Sequence, residues 1–293
     1  MLLQKRHNNE FASQVKRDIV NSIWLNKYKY LLTVVLFLLF CAFFEMNYAS
    51  IANSGYVSNE ASFGDIILFI FHGMKVYIPA PGIKFEIPVT WLSCQIFVTY
   101  IIGNYIRQDM TTYGQQYIIR STHKSYWFIG KMLYCVICVL LFYCVGYMTV
   151  FGYSLIARNP SFVLNFDVCA YVSETNIEIL NQIDVVLGIV ILPIITSIVL
   201  SVGQTTLSIW IKPIYSIIII VAYVCASAYY FSYLLIGNYS MILRSKKIIA
   251  ANSFITSEGI HPIYAIVIDC CLIIVMYSIA LIKLKKYDYI EKS

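Results

Sequence analysis

The chain has 293 residues, of which 60% are hydrophobic, 16% aromatic and 12% charged. Soluble domains carry about 25% charged residues. The apolar residues of this chain lie in long runs, each close to the length of about 20 residues that a helix needs to cross a bilayer. These properties exclude a soluble enzyme, a nucleic-acid-binding module and a secreted disulfide scaffold. The net charge of +6 arises from 21 basic and 15 acidic residues. The positions of the basic residues indicate how the chain is oriented in the membrane.

The N-terminal segment 1–27 is predicted to be a cytoplasmic amphipathic helix. Apolar side chains recur at every fourth position, at Phe11, Val15, Ile19 and Ile23. Charged side chains fall on the opposite face of such a helix, at Lys16, Arg17 and Asp18. This pattern is typical of a helix that lies in the membrane interface, with its basic groups near anionic lipid. An ordinary membrane anchor without a role in transport is the alternative.

Six transmembrane helices are predicted within a transmembrane domain of residues 28–282. In lipid only helices and closed barrels satisfy every backbone polar group, and the apolar runs lack the alternation of barrel strands. The predicted fold class is therefore an all-α integral membrane protein. The predicted spans are Tyr28–Met46, Pro88–Ile106, Trp127–Ile156, Val185–Ile211, Pro213–Ile236 and Pro262–Ile282.

The basic residues predict the orientation of the chain, because Lys and Arg accumulate in cytoplasmic loops. With the N-terminus inside, the inner side receives 15 of the 21 Lys and Arg residues. They are Lys5, Arg6, Lys16, Arg17, Lys27, Lys29, Arg107, Arg120, Lys124, Lys131, Lys212, Lys283, Lys285, Lys286 and Lys292. Both termini, including the tail 283–293, are thus predicted to be cytoplasmic, in a cell membrane of the bacterial plasma-membrane type.

Three outer loops are predicted, at residues 47–87, 157–184 and 237–261. The first contains the apolar run Ile66–Phe71, which is too short to span and is expected to dip into the outer leaflet or cover the bundle. The third carries Met241–Leu243, for which a re-entrant hairpin and a plain surface helix are both open. Within the fourth span, Pro193 is expected to produce a kink.

The sequence contains no recognisable catalytic constellation or metal site. The Cys135-x-x-Cys138 motif lies inside a predicted span, without the additional ligands that structural zinc requires, so we interpret it as packing. Gly130-Lys131 is followed by Met132 and does not form a phosphate-binding loop. We therefore expect a protein that is not an enzyme on its own. If ATP drives it, another subunit must bind the nucleotide.

Two acidic residues in the spans are candidates for a pathway or a gate, because ionisable groups at membrane depth are costly and functional by default. Asp269 lies about 10 Å below the outer end of the sixth span, given the helical rise. For this residue, pairing with a neighbouring Tyr or Lys is the alternative. Glu45 lies at the outer end of the first span, where a structural role is favoured over a gate.

The inner loop 107–126 is the one substantial connection predicted on the cytoplasmic side. It runs Tyr105-Ile-Arg-Gln-Asp109 … Gly114 … Ile119-Arg120-Ser121 … Trp127 … Gly130-Lys131 from the end of the second span to the start of the third. At this point the chain resembles the permease subunits of type-2 ABC exporters. The shared features are an amphipathic helix before six spans, cytoplasmic termini and an inner loop of this kind.

This resemblance implies that the inner loop is a coupling helix seated in a groove of a separate soluble ATPase. Two ATPase subunits, which would bind ATP and Mg²⁺, and a second permease, either a copy or a paralogue, would complete the transporter. The candidate ATPase contacts are Asp109, Gly114, Gln115, Arg120 and Ser121. In the rival interpretation the basic residues of this loop only enforce topology and meet lipid phosphates.

The predicted substrate is amphipathic or hydrophobic, such as a peptide or bacteriocin, a lipid or a drug. Three other classes remain as alternatives. A secondary transporter should show internal repeats and matching broken helices, of which only Pro193 is a sign. An intramembrane enzyme should place catalytic groups in its spans, where only Asp269 is a candidate. A non-transporting immunity protein would share the topology without needing an ATPase.

Overall fold

The computed structural model describes residues 2–57, 59–82, 84–103, 105–111, 114, 124–175, 182–246 and 259–285. Within these ranges the regular structure is helical and contains no β-strand, which confirms the predicted all-α class. The first six helices are α1 (Leu2–Trp24), α2 (Lys27–Asn53), α3 (Phe63–Phe71), α4 (Val89–Ile102), α5 (Tyr105–Thr111) and α6 (Lys124–Ala157). The others are α7 (Phe166–Val172), α8 (Gln182–Val186), α9 (Leu192–Trp210), α10 (Pro213–Tyr229) and α11 (Pro262–Lys285).

Among the described residues, five helical segments are long and apolar enough to cross a membrane. They are Lys27–Asn53, Val89–Thr111, Ser125–Ala157, Ile183–Trp210 and Pro262–Lys285. The predicted fifth span corresponds to α10, a shorter apolar helix of 17 residues. This helix ends at Tyr229 rather than at the predicted Ile236, because the backbone of Tyr230 is extended, with φ −100° and ψ 136°.

The long helix α6 is the centre of the bundle and packs against α1, α2, α4 and α9. One apolar core lies between α2, α3, α4 and α6 and includes Phe37, Phe44 and Phe142. A second lies between α9, α10 and α11 and includes Val199, Val224 and Ala265. The outward surfaces of α2 and α11 are also apolar, with Leu31 and Ile274 among the exposed side chains, as lipid-facing helices require.

The fourth predicted span is not a regular α-helix. A π-helical turn, Leu187–Ile191, joins α8 to α9, and Pro193 is the second residue of α9. Proline has no N–H, so it cannot donate to the carbonyl of Ile189 four residues earlier. The Tyr147 hydroxyl on α6 donates to that carbonyl instead, at 3.2 Å. A neighbouring side chain thus satisfies the backbone group that the proline leaves free, as is required at membrane depth.

Short helices close the end of the bundle at which α2 and α6 finish, which we call the cap end. The predicted short run in the first outer loop is helix α3, whose residues 64–71 are all buried, so it covers the bundle. Asp65 on α3 is 1% exposed. Its carboxylate accepts hydrogen bonds from the backbone of Ser62, the backbone and side chain of Asn165, and the Cys169 thiol. These bonds join α3 to α7.

The described first part of the predicted third outer loop also folds into the cap end, as two buried 3₁₀ turns, Ile236–Ser240 and Ile242–Arg244. The Arg244 guanidinium is 1% exposed and donates to the carbonyls of Ser227 at 2.5 Å, Ala228 at 2.6 Å and Met74 at 3.2 Å. It therefore caps the C-terminus of α10, where a cation is favoured by the helix dipole. Burial lowers the pKa of Arg244 to about 10, which leaves it charged at neutral pH.

Candidate functional site: a buried charge cluster joining three helices

The helix α1 turns its polar face, not its apolar face, toward the bundle. Gln14, Asp18 and Ser22 are buried at successive helical turns, and Asp18 is only 1% exposed. The apolar residues Ile23 and Trp24 are 49% and 65% exposed. The sequence pattern placed Asp18 opposite the apolar residues, and in the structure this side chain points into the bundle. The exposed apolar face of α1 is free to meet lipid, whereas its acidic group is enclosed by protein.

The helix α5 begins where α4 breaks at Gly103, which has a positive φ of 54°. Side chains of neighbouring helices donate to the backbone carbonyls around this break. Lys29 on α2 donates to the carbonyls of Tyr100 at 3.1 Å and Ile101 at 2.9 Å. Gln204 on α9 donates to the carbonyls of Thr99 at 3.1 Å and Gly103 at 3.2 Å. The direction of α5 is thereby fixed by two other helices.

Four charged side chains from α1, α5 and α6 meet at this end of the bundle, which we call the α1 end. The Lys131 ammonium lies 2.7 Å from Asp18 Oδ1 and 2.8 Å from Asp109 Oδ2. Arg17 lies 3.2 Å from the other oxygen of Asp109. Lys131 and Asp109 are 0% and 6% exposed. We call Arg17, Asp18, Asp109 and Lys131 the charge cluster, in which two cations balance two anions.

Uncharged donors also bind the two carboxylates, although Asp18 Oδ2 has no hydrogen-bond partner among the described residues. The indole N–H of Trp127 on α6 donates to Asp109 Oδ2 at 3.0 Å, and the hydroxyl of Tyr105 on α5 donates to Asp18 Oδ1 at 2.8 Å. The ring of Tyr105 stacks on Tyr134 of α6, with ring centroids 4.1 Å apart. Trp127 is fully buried, so it is a structural partner of the cluster and does not face lipid.

Two glycines allow the helices to approach so closely. A Cβ at Gly114 would overlap the carboxylate of Asp109 and lie 2.8 Å from the indole nitrogen of Trp127. A Cβ at Gly130 would lie 2.9 Å from Asp18 Oδ2. Real Cβ atoms do not make such contacts, so a larger residue at either position must displace the cluster.

The charge cluster can transmit force between helices because separating its ion pairs costs free energy. Removing one partner from a buried ion pair costs about 3–5 kcal/mol, since it leaves an uncompensated charge. A displacement of α5 away from α1 or α6 would have to break one of these ion pairs. The ion pairs hold α1, α5 and α6 together where the predicted inner loop begins.

The structure brings only part of the predicted coupling set together. Asp109 and Gly114 are in contact within or beside the charge cluster. Gln115, Arg120 and Ser121 lie outside the described residues. Sequence reasoning missed the role of Lys131, although a lysine within the predicted span Trp127–Ile156 is the kind of intramembrane charge that marks a site.

The two predicted pathway residues lie elsewhere. The side chain of Glu45 on α2 forms a double hydrogen bond with Arg158, which follows α6, at 3.0 Å and 2.5 Å. The hydrogen bond to Glu45 raises the pKa of Arg158. Asp269 is fully buried on α11, where the Thr196 hydroxyl donates to it at 3.3 Å. Neither residue is part of the charge cluster, and the role of both in a pathway stays a prediction.

The fold and its apolar outer surface define a multi-pass helical membrane protein. More particularly, the chain belongs to the family described as "Protein of unknown function (DUF2705)", whose family model matches residues 67–290. No curated protein and no solved structure matches the chain. The matched range contains α5 and α6, with Asp109 and Lys131, and excludes α1.

Proposed function

We propose that this chain is the membrane permease subunit of an ATP-driven ABC exporter. In this proposal the chain crosses the cell membrane six times with both termini in the cytoplasm, α10 being the fifth crossing. It forms half of the path for an amphipathic or hydrophobic substrate, such as a peptide, a lipid or a drug, together with a second permease copy or paralogue. It is not an enzyme on its own, and two soluble ATPase subunits supply the work.

The charge cluster is the observation that carries this proposal. A permease driven from outside needs a cytoplasmic segment whose movement reaches the spans. The helix α5 at the start of the inner loop is tied to α6 by the Lys131–Asp109 pair, at 2.8 Å, and α6 is tied to α1 by the Lys131–Asp18 pair, at 2.7 Å. A loop that only enforced topology would need surface charges, not ion pairs enclosed by protein.

The distribution of charge supports the proposed orientation. The α1 end carries exposed or half-buried basic side chains at Lys27, Lys29 and Lys283. The Lys283 ammonium lies 4.7 Å from the ring centre of Trp210 on α9, so an aromatic ring and a cation share the same depth. Aromatic rings and basic groups accumulate in this way where a helix leaves the membrane on the cytoplasmic side.

The geometry divides the predicted coupling residues into two roles. The carboxylate of Asp109 already binds Arg17, Trp127 and Lys131, so in our proposal it positions α5 and does not itself contact the ATPase. Direct contact then belongs to the following part of the loop, which contains Gln115, Arg120 and Ser121.

Co-purification tests the proposal. The affinity-tagged full-length chain, extracted from its own cells in mild detergent, should bring with it a soluble ATPase with a phosphate-binding loop, and the complex should hydrolyse ATP. Arg120→Glu should abolish this association, whereas Lys84→Glu, an exposed charge reversal at the cap end, should leave it intact. A chain that transports its substrate in liposomes without any ATPase would refute the proposal.

A further inference from the structure

Asp269 is a buried acid that the proposed coupling mechanism does not use. It is the only Asp, Glu, Lys, Arg or His between Pro262 and Ile282. The side chain is 0% exposed, although most of α11 is open to the surroundings. Pro262 and Ala265, the other buried residues in this half of the helix, lie on the same face by helical spacing. The acid therefore points into the bundle from an otherwise lipid-facing helix.

Nothing charged among the described residues neutralises an ionised Asp269. Oδ2 accepts one hydrogen bond, from Thr196 at 3.3 Å, and Oδ1 has no partner in the described part of the chain. No ion pair to Asp269 lies within 4.0 Å among those residues. The helix α9 that supplies Thr196 contains no charged residue at all.

Titratable groups of α10 and of the two 3₁₀ turns are committed to other partners. Tyr223 on α10 donates its hydroxyl proton to the carbonyl of Leu234 at 2.6 Å, and Tyr239 in the first 3₁₀ turn donates to the carbonyl of Tyr233. Arg244, in the second 3₁₀ turn, binds the carbonyls at the end of α10. None of these groups supplies a positive charge to the carboxylate.

Comparison with a second buried acid shows how few hydrogen bonds the carboxylate of Asp269 accepts. Asp65 at the cap end is as buried as Asp269, but its two oxygens accept four hydrogen bonds from N–H and S–H donors. Asp269 accepts one. An isolated ionised carboxylate in an apolar interior is unfavourable by far more than a single hydrogen bond restores.

We propose that Asp269 is a proton-binding site in the interior of the bundle. The Oδ1 lone pair takes a proton from a hydronium ion, which becomes water, while Oδ2 remains the carbonyl oxygen that Thr196 contacts. Release passes the proton back to a water molecule and leaves the carboxylate, so each transfer breaks one O–H bond and forms one. A metal ion fits less well, because hard cations need six or more oxygen ligands, and the hydroxyls of Tyr223 and Tyr239 are already bound to backbone carbonyls.

Proton binding would couple the pH to the packing of α9 against α11. With the proton bound, both helices meet through neutral groups. When the proton leaves, the carboxylate requires water or a counter-ion, so the two helices must separate enough to admit one. This inference goes beyond the proposed exporter function and does not depend on the ATPase.

Infrared spectroscopy of the purified full-length chain in lipid nanodiscs tests the site directly. At neutral pH we expect the C=O stretching band of a protonated carboxylic acid, with a shift in D₂O. Asp269→Asn should remove the band. The matched control Asp65→Asn should keep it, because the Asp65 oxygens already accept four hydrogen bonds from N–H and S–H donors. Thr196→Val, which preserves shape and deletes the hydrogen bond to the carbonyl oxygen, should move the band to higher frequency.

Each other outcome overturns the proposal. The site does not hold a proton if the band is missing from the wild-type chain, or if it persists in Asp269→Asn. Thermal stabilisation by sodium chloride over choline chloride, lost in Asp269→Asn, would assign the site to an alkali ion instead. If Asp269→Asn fails to fold, the Thr196→Val shift decides the question, and an unshifted band then contradicts the assignment.

Discussion

At the residue scale, the notable group is Lys131, whose single ammonium serves two carboxylates from two different helices. Its neighbours Trp127 and Tyr105 place aromatic rings 5.5 Å and 4.8 Å from the ammonium nitrogen. The site is thus both charge-paired and shielded from water. Screening by salt is weak at such a buried site, so these ion pairs hold the helices together more firmly than surface ion pairs would.

Replacing this lysine should destabilise the chain strongly. In Lys131→Met the side chain keeps its length but leaves Asp18 and Asp109 with only Arg17 as a cation. We expect a loss of about 3–5 kcal/mol of unfolding free energy, the cost of leaving a buried ion pair without one member. Thermal unfolding of the purified chain in detergent measures the effect.

The exposed residue Lys16, on the other face of α1, provides the control. Lys16→Met should change the stability by less than about 0.5 kcal/mol, as surface substitutions do. Adding Asp18→Asn to Lys131→Met should recover part of the loss, since one unpaired anion disappears. Equal unfolding free energies for Lys131→Met and Lys16→Met would show that the charge cluster does not stabilise the packing of the three helices.

At the element scale, the break in the fourth span depends on a contact between two helices. The π-helical turn and Pro193 leave the Ile189 carbonyl without a regular backbone donor. The Tyr147 hydroxyl on α6 donates a hydrogen bond to this carbonyl at 3.2 Å. Breaks of this kind in spanning helices often lie at functional positions. Here the break precedes Thr196 on the same helix, so it lies one turn from the proposed proton site.

The contact between Tyr147 and Ile189 can be tested with a double-mutant cycle. Tyr147→Phe removes the hydroxyl donor and should cost about 1 kcal/mol, the net value of one hydrogen bond. In a Pro193→Ala background the backbone N–H at position 193 can donate to the same carbonyl, so Tyr147→Phe should cost much less. Unfolding free energies of the four variants give the coupling. Additive losses would mean that the hydroxyl does not replace the missing backbone donor.

Hydropathy predicted the positions of the helices better than their ends or their buried faces. The apolar runs correspond to α2, α4, α6, α9 with its preceding turns, α10 and α11. The end of α10 at Tyr229 was not predictable, because it is capped by Arg244 in the following loop, which hydropathy does not identify as a cap. The burial of Asp18 was missed for a similar reason. Its polar environment is built by Tyr105 and Lys131, which local periodicity cannot bring together.

At the scale of the whole molecule, the two ends of the bundle are built differently. The cap end is closed by α3, α7 and the 3₁₀ turns, whose buried Asp65 and Arg244 bind mainly backbone groups and hold the segments in place. The α1 end joins three helices through ion pairs and continues into the inner loop. This asymmetry is what a permease driven from one side requires, and composition alone predicted only that the chain lies in a membrane.

The most direct test of the proposed coupling is photocrosslinking in living cells. A photoreactive amino acid at Gln115, in the predicted inner loop, should crosslink the chain to a soluble ATPase with a phosphate-binding loop, identified by mass spectrometry. The same amino acid at Lys84, at the cap end, should give no such product. If Gln115 crosslinks only to lipid or to another copy of the chain while the protein is present at normal levels, the ATPase does not bind at the α1 end and the account is contradicted.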